Sequence, residues 1–300
     1  MLLLLLAAAT HASIAAPPLL VHDAALPAPP LLVHDAALIA ATRARIAASD
    51  PAVMPALTRA LRYADEALVL GPWSVTQCPH VPPSGDSRDY YSIAKYYWPC
   101  NARPPRCSSG PGSGCDNATG LPWVDCDGLV NPITNDFALP RITNMSSTLA
   151  TLAAGYTWSG RVEYAERAAL LVRAWFTDGA TGMRPNMDFA QAEPGANNGS
   201  HWGIIELSSA FVSEVLDSIA LIAPSGAWTA SDAASFSGWL RPFLAWLRTS
   251  ALGQEEYAAF NNHQVRGGVC EWGPASRGAS QRKGAAPPAV NDLRQRHDLR

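Results

Sequence analysis

Helical apolar periodicity, repeated along most of the chain, constrains the fold more than any other feature. Apolar residues recur at three- and four-residue steps in six stretches, which are 38–46, 55–70, 149–156, 164–176, 204–222 and 236–247. Short Gly- or Pro-containing links separate the later stretches, and Pro242 predicts a kink or a restart within the last one. Successive helical hairpins of this kind are typical of an all-α solenoid or toroid.

Residues 71–142 interrupt this pattern with many Gly, Pro, Asn and Asp residues. No strand-like alternation in them is long enough to predict a sheet, so they are expected to form a long loop insertion before helices resume at about Asn144. Five of the six cysteines lie in this insertion, and four of them, at positions 100, 107, 115 and 126, are clustered. They lack the close pairs typical of zinc sites, which favours disulfides over a metal, but about fifteen pairings of six cysteines remain open.

The N-terminus has features of an exported chain. Leu2 to Ala9 is an apolar run too short to span a bilayer, and the small residues that follow predict cleavage after Ala15 or Ala16, although no basic residue precedes the run. Three glycosylation sequons begin at Asn117, Asn144 and Asn198. With the clustered cysteines, these features predict a secreted or extracellular glycoprotein, periplasmic if the source is bacterial. No other stretch is apolar enough to predict a membrane span.

The chain divides into four expected parts. Residues 1–16 form the signal peptide, 17–37 an N-terminal segment, 38–264 the helical domain and 265–300 a tail. Ten residues, PPLLVHDAAL, occur at 17–26 and again, letter for letter, at 29–38. The tail has no helical stripe and is interpreted either as disordered or as translation through an intron or a shifted frame. A formal net charge of −3 gives no overall reason to expect a nucleic acid partner.

A polar cluster, Phe260-Asn261-Asn262-His263, follows the last helical stretch. Neutral amide donors beside an imidazole can bind a carboxylate and share the charge that develops on it. By itself, this short motif has little specificity.

Several longer blocks, in order and at matching spacing, make the chain resemble the alginate lyase family. The blocks are PPSGDSRDYYSIAKYYWP (82–99), a DG-VNP stretch (127–132), AAGYTWSGRVEYAERAALLVRAWF (153–176), TGMRPNMDFAQAEPG (181–195), GIIEL (203–207), WLRTSALGQEE (246–256) and NNH (261–263). The resemblance implies an incomplete (α/α) toroid with a deep groove, and cleavage of an acidic polysaccharide by β-elimination without a cofactor.

The resemblance also implies roles for particular residues. Asn262 would hold the substrate carboxylate, and His263 would neutralise it or act as the base. The aromatic residues of the insertion would form a lid or stacking wall over the sugar: Tyr90, Tyr91, Tyr96, Tyr97 and Trp98. Asn186 and Gln191 would supply polar groups to the groove, although either could be an ordinary turn or cap residue.

The chain departs from the family pattern after NNH. The family continues into a Gly-rich stretch with a Tyr that transfers a proton, whereas here Gln264 to Gly267 follow and no Tyr occurs after Tyr257. Lys95 stands in a position where the family has Pro, and Arg184 where it prefers Asn. Both cations would suit a polyanionic substrate if they face the groove.

Two other functions remain open. A carbohydrate-binding protein would keep the groove and the aromatic wall without catalysis. A glycoside hydrolase would need two carboxylates flanking one bond, for which the candidates are Asp188, Glu206, Glu255 and Glu256. The oligomeric state and the preferred uronate epimer are not indicated by the sequence.

Overall fold

The computed structural model describes residues 30–110 and 114–259. The expected signal peptide, the first copy of the repeated decapeptide and the expected tail lie outside these residues. Asn262, His263 and Cys270 also lie outside them.

Helices make up most of the described chain, so the prediction of an α-rich fold is confirmed. Within the described residues the α-helices are α1 (Ala36–Ala47), α2 (Met54–Ala67), α3 (Ala138–Ser159), α4 (Val162–Val172), α5 (Ile204–Ala210), α6 (Asp217–Ile222), α7 (Ala230–Thr249) and α8 (Ala251–Ala258). Helix α3 lies at the centre, where it packs against α2, α4, α5 and α6. A single large apolar core forms around it, and its residues include Leu149, Leu152, Trp175 and Phe211.

Helix α3 begins six residues before the expected start at Asn144. Pro140 lies in the first turn of this helix. Backbone N–H groups there have no intrahelical acceptor, so a proline is tolerated. The helix ends at Gly160, which has a left-handed φ of 74°.

Two widened helical turns occur in the core. A π-helical turn, Arg173–Thr177, extends α4, and another, Phe211–Leu216, joins α5 to α6 in one continuous helical run. The apolar stretch 204–222 predicted this run as a single helix, and the π turn is a local irregularity within it. Turns of this kind are frequent near functional sites.

Helix α7 is fixed at its start by a capping box. Thr229 and Asp232 exchange side-chain to backbone hydrogen bonds, and both guanidinium nitrogens Nε and Nη2 of Arg173 lie within 2.7 Å of the Asp232 carboxylate oxygens. The helix then continues through Pro242 to Thr249, so no restart occurs there.

The insertion contains short strands, which corrects the expectation of a loop without a sheet. Strand β1 (Tyr91–Ile93) pairs in parallel with β4 (Phe189–Ala192), and β2 (Tyr97–Trp98) pairs in antiparallel with β3 (Val124–Asp125). Each strand has four residues or fewer, which is too short for alternation to be visible in the sequence.

Two disulfides tie the insertion together, as the clustered cysteines predicted. Cys100 is bonded to Cys115, and Cys107 to Cys126. Cys78 is a half-buried free thiol within the described part of the chain. Burial raises the pKa of this thiol, which keeps it protonated at neutral pH.

Close approach of α2 and α3 depends on Gly155. A Cβ at this position would lie 2.5 Å from the Cβ of Ala64, which is itself fully buried. We expect Gly155→Ala to lower the free energy of unfolding by about 1–3 kcal/mol, because the two helices must separate. Chemical denaturation measures the change.

Gly238→Ala is the matched control, since Gly238 is exposed in α7 and a Cβ there would meet no atom within 4 Å. That variant should be unchanged or slightly more stable, because alanine favours the helix. Equal stability of the two variants would contradict tight packing at Gly155.

Candidate active site

The candidate active site is built around the parallel strands β1 and β4. Tyr91 lies opposite Phe189 and Ile93 opposite Ala192, so β4 has one residue more than β1 between these pairs. The irregularity coincides with Gln191, whose φ of 46° is in the left-handed region. Such a conformation is uncommon for a residue other than glycine, and β-bulges often redirect a side chain next to a functional site.

The start of α5 packs closely against β4 because residue 203 is a glycine. A Cβ on Gly203 would lie 2.3 Å from the Cβ of Ala190. The close contact brings Glu206, in the first turn of α5, towards both strands.

Glu206 is the centre of a buried hydrogen-bond network. Its Oε2 accepts hydrogen bonds from the Tyr90 hydroxyl at 2.9 Å and from the Ser92 hydroxyl at 2.6 Å. Ser92 in turn accepts the backbone N–H of Gln191 at 2.8 Å. The network therefore joins α5, β1 and β4, while Oε1 of Glu206 is buried without a hydrogen-bond partner among the described residues.

The environment of Glu206 favours its neutral form. Burial raises the pKa of this carboxyl from an ordinary 4.5 to about 7. Hydrogen bonds from Ser92 and Tyr90, the nearby Gln191 side chain and the charge of Lys95 act in the opposite direction but do not outweigh burial. A neutral carboxyl can donate a hydrogen bond, which a carboxylate cannot.

The structure separates Tyr90 from the other expected wall residues. Its ring is fully buried in the main core and its hydroxyl is bonded to Glu206, so its position does not support a stacking role. Tyr91, Tyr96, Tyr97 and Trp98 are partly exposed. Tyr91 packs edge-on against Phe137, with ring centroids 5.1 Å apart.

The β2 strand holds two of the partly exposed rings in place. Trp98 donates its Nε1–H to the backbone oxygen of Leu129 at 2.8 Å. Burial, followed by the charge and hydrogen bond of Glu193, raises the pKa of Tyr97 to about 12. Tyr97 therefore keeps its hydroxyl proton at neutral pH.

The two expected cations have different surroundings. Lys95 is exposed, and its ammonium lies 4.9 Å from the centroid of the Tyr96 ring. Arg184 instead forms an ion pair with Asp86 at 2.8 Å. The positive charge of Lys95 also lowers the pKa of Glu206.

Asn186 occupies a turn, which was one of its two expected roles. Its Oδ1 accepts the backbone N–H of Asp188 at 3.1 Å, and its Nδ2 donates to Asp89 at 3.3 Å. The hydrogen-bond network around Glu206 includes Gln191 but not Asn186.

The remaining acidic candidates are Asp188, which directly precedes β4, and Glu255 and Glu256, which belong to α8. Asp188 accepts the Trp246 Nε1–H at 2.7 Å, and Glu255 lies 3.4 Å from Nδ1 of His201. Glu256 is buried, which raises the pKa of its carboxyl to about 7. Helix α8 packs against the turn His201–Gly203, and Asn262 and His263 follow four and five residues after the end of that helix.

Ser92 is a site residue that the sequence reasoning missed. In an extended segment, residues two apart share a face, so Ser92 faces the same side as Tyr90. This spacing, together with the Glu of the GIIEL block, was the signal that could have revealed the network.

Two possible features are not found in the described part of the chain. Residues 30–110 and 114–259 contain no group of three His, Cys, Asp or Glu side chains arranged to hold a metal ion. None of the helices formed by those residues is both long and apolar enough to cross a membrane.

Comparison with known proteins gives the family of the chain. The profile of the family described as alginate lyase matches residues 74–269. A crystal structure of an alginate lyase from Bacteroides ovatus superimposes with a TM-score of 0.68 at 31% sequence identity, over 77% of this chain. The match spans 57% of the Bacteroides chain. A search of curated proteins found no match. The chain belongs to the alginate lyase family.

Proposed function

We propose that this chain is a secreted polysaccharide lyase that cleaves a polyuronate, either alginate or a glucuronan-like polymer, by β-elimination. Membership of the alginate lyase family supports the reaction class. The observation that carries the proposal is Glu206, a buried acid with a pKa of about 7 and an unused Oε1, at the junction of α5, β1 and β4. A carboxyl with this raised pKa is partly protonated at neutral pH, which suits a site that must accept an anionic sugar, because a fully ionised carboxylate there would repel it more strongly.

In this reaction a base removes the proton at C5 of a uronic acid residue. The electron pair of the C5–H bond forms a C4=C5 double bond, the C4–O4 bond breaks, and the departing O4 takes a proton. Neutralising the neighbouring carboxylate stabilises the charge that develops at C5. We assign Asn262 to hold this carboxylate and His263 to neutralise it or act as the base. The elimination needs no cofactor.

Glu206 acts in this proposal as a positioning residue. It holds the Tyr90 and Ser92 hydroxyls, and Ser92 holds the backbone of Gln191 in its left-handed conformation. Loss of the carboxyl would release both hydroxyls and leave them buried without their acceptor. Gln191 is thereby kept as a polar group for the substrate.

The partly exposed rings and Lys95 form the proposed sugar-binding wall. Tyr91, Tyr96, Tyr97 and Trp98 offer surfaces against which a sugar ring can pack. Exposed Lys95 supplies positive charge for a polyanion. Tyr97 keeps its hydroxyl proton at neutral pH and can therefore donate a hydrogen bond there.

The hydrolase alternative is less well supported by the same contacts. Two carboxylates would have to face the bond that is cleaved, one as an acid and one as a base or nucleophile. Glu206 is buried and holds two hydroxyls, and Asp188 is bonded to Trp246. These two carboxylates therefore have partners within the protein that such a reaction would have to displace.

Three finer statements belong to the same proposal. We propose that residues 38–264 form an incomplete (α/α) toroid whose groove contains this site. The two disulfides suit an oxidising compartment, in keeping with export after removal of residues 1–16. The exposed Asn117, Asn144 and Asn198 are proposed glycosylation sites.

The proposal is tested by incubating the protein with alginate, with glucuronan and with an uncharged glucan as control. We expect ultraviolet absorbance from the conjugated double bond to rise with a polyuronate and not with the glucan. Thermal unfolding is measured on the same mixtures. Protection by a polyuronate without any new absorbance would replace the lyase with a carbohydrate-binding protein.

A further inference from the structure

One buried carboxylate holds the N-terminal segment of the described chain. Asp217, at the start of α6, has a fully buried side chain. Its Oδ1 accepts the backbone N–H of Leu32 at 2.6 Å, and its Oδ2 accepts those of Val33 at 3.0 Å and His34 at 2.8 Å. The same Oδ2 lies 2.7 Å from Nδ1 of His34. We call Asp217 and the surface around it the clamp site.

The charged form of Asp217 is stabilised by the backbone donors that occupy the clamp site. Burial alone would raise the pKa of Asp217, but the hydrogen bonds from Leu32, His34 and Val33 outweigh it and keep the pKa below the usual value. Without those donors the carboxylate would lose all three of its backbone hydrogen bonds, which is unfavourable. The site therefore selects a segment that can present three successive N–H groups and an imidazole.

Helix α1 adds little to this attachment. It contains no buried residue, and a hydrogen bond from Arg43 Nε to the backbone oxygen of Thr157, at 2.8 Å, connects it to α3. Asp35 caps the helix by accepting the N–H groups of Ala37 and Leu38. The contacts at Asp217 are thus the main polar attachment of residues 30–35.

The chain contains the docked sequence twice. Residues 29–38 form the second copy, which occupies the clamp site, and residues 17–26 form the first copy. Leu20, Val21 and His22 correspond to the three residues that bind Asp217. We propose that the clamp site is a peptide-binding site that accepts either copy, and that the first copy occupies it when the second is prevented from binding.

The two copies are not equivalent beyond the decapeptide. Ile39 follows the second copy and continues α1, whereas Pro27 follows the first. If Asp23 capped a helix as Asp35 does, Pro27 would lack the N–H that bonds to the Asp23 oxygen and would clash with it. The first copy can therefore fill the site but cannot begin α1. For this reason the second copy binds the clamp site by preference, and the first copy binds only when the second is prevented from binding.

Proline substitutions test this exchange in the full chain. Leu32→Pro with Val33→Pro removes two of the N–H donors of the second copy, and Leu20→Pro with Val21→Pro makes the same change in the first copy. Hydrogen exchange, followed by mass spectrometry, reports on residues 19–23. In the second-copy variant we expect exchange in these residues to slow by at least about tenfold relative to the unaltered chain.

Thermal unfolding provides the second readout. The first-copy variant should unfold at the temperature of the unaltered chain, and the variant with both copies changed should unfold below the second-copy variant. His34→Ala, with and without His22→Ala, repeats the comparison with a milder change if the proline variants fail to fold. The proposal is overturned if exchange in residues 19–23 is unchanged and the first-copy changes add no destabilisation to the second-copy variant.

Discussion

His263→Ala and Asn262→Ala should each reduce the turnover of a polyuronate at least about 100-fold. A reduction of this size is typical when an enzyme loses one group that stabilises the charge developing in the transition state. The helical circular dichroism should not change, since neither substitution alters a residue of helices α1 to α8. Steady-state kinetics on the preferred polymer measures the effect.

Asn135→Ala is the matched control for this pair, because Asn135 is exposed in the turn Pro132–Asp136, before α3, and has no assigned part in the reaction. Its turnover should equal that of the unaltered chain. If either member of the pair retained full turnover, that residue would be removed from the mechanism. If helicity were lost, a structural role would replace the catalytic one.

The second large effect is a pH dependence of stability that comes from Glu206. Its pKa is about 7 in the folded chain against an ordinary 4.5, so the folded state binds the proton more tightly than the unfolded state. The free energy of unfolding should therefore fall as pH rises through this range, by about 3 kcal/mol for this group. Below the ordinary pKa of 4.5, Glu206 is protonated in both the folded and the unfolded chain, so its contribution to the free energy of unfolding is constant.

Glu206→Gln removes this titration and keeps an oxygen that can accept the Tyr90 and Ser92 hydroxyls. Denaturation at about pH 5 and about pH 8 should show a smaller loss of stability in the variant than in the unaltered chain. Glu256→Gln is the matched comparison, because burial also raises the pKa of Glu256 to about 7 and part of the slope belongs to that residue. An unchanged slope in Glu206→Gln would show that Glu206 does not titrate in this range.

The helices could be predicted from the sequence because each has an apolar face that must pack on another. The central position of α3 was not predictable, since it depends on which helices meet across the core. The strands β1 and β4 escaped detection for a different reason. They are short, and their partners are almost a hundred residues apart, so local periodicity carries no sign of them.

The candidate site was predictable in its parts but not in its arrangement. Tyr90 and Gln191 came from the resemblance to a family, and the structure brings both to Glu206. Their surroundings could not be foreseen, because burial of Tyr90 and the pKa of Glu206 depend on packing between distant segments. The disulfides illustrate the same limit, since clustered cysteines predict bonding but the path of the loop decides the pairs.

Product mass is the most direct test of β-elimination, and it is measured after digestion of alginate or glucuronan in water labelled with heavy oxygen. Elimination adds no water across the bond that breaks. We therefore expect new chain ends that are lighter by one water than hydrolysis products and carry no label from the cleavage step. Saturated products that contain one heavy oxygen for each bond cleaved would contradict the lyase assignment and favour a hydrolase.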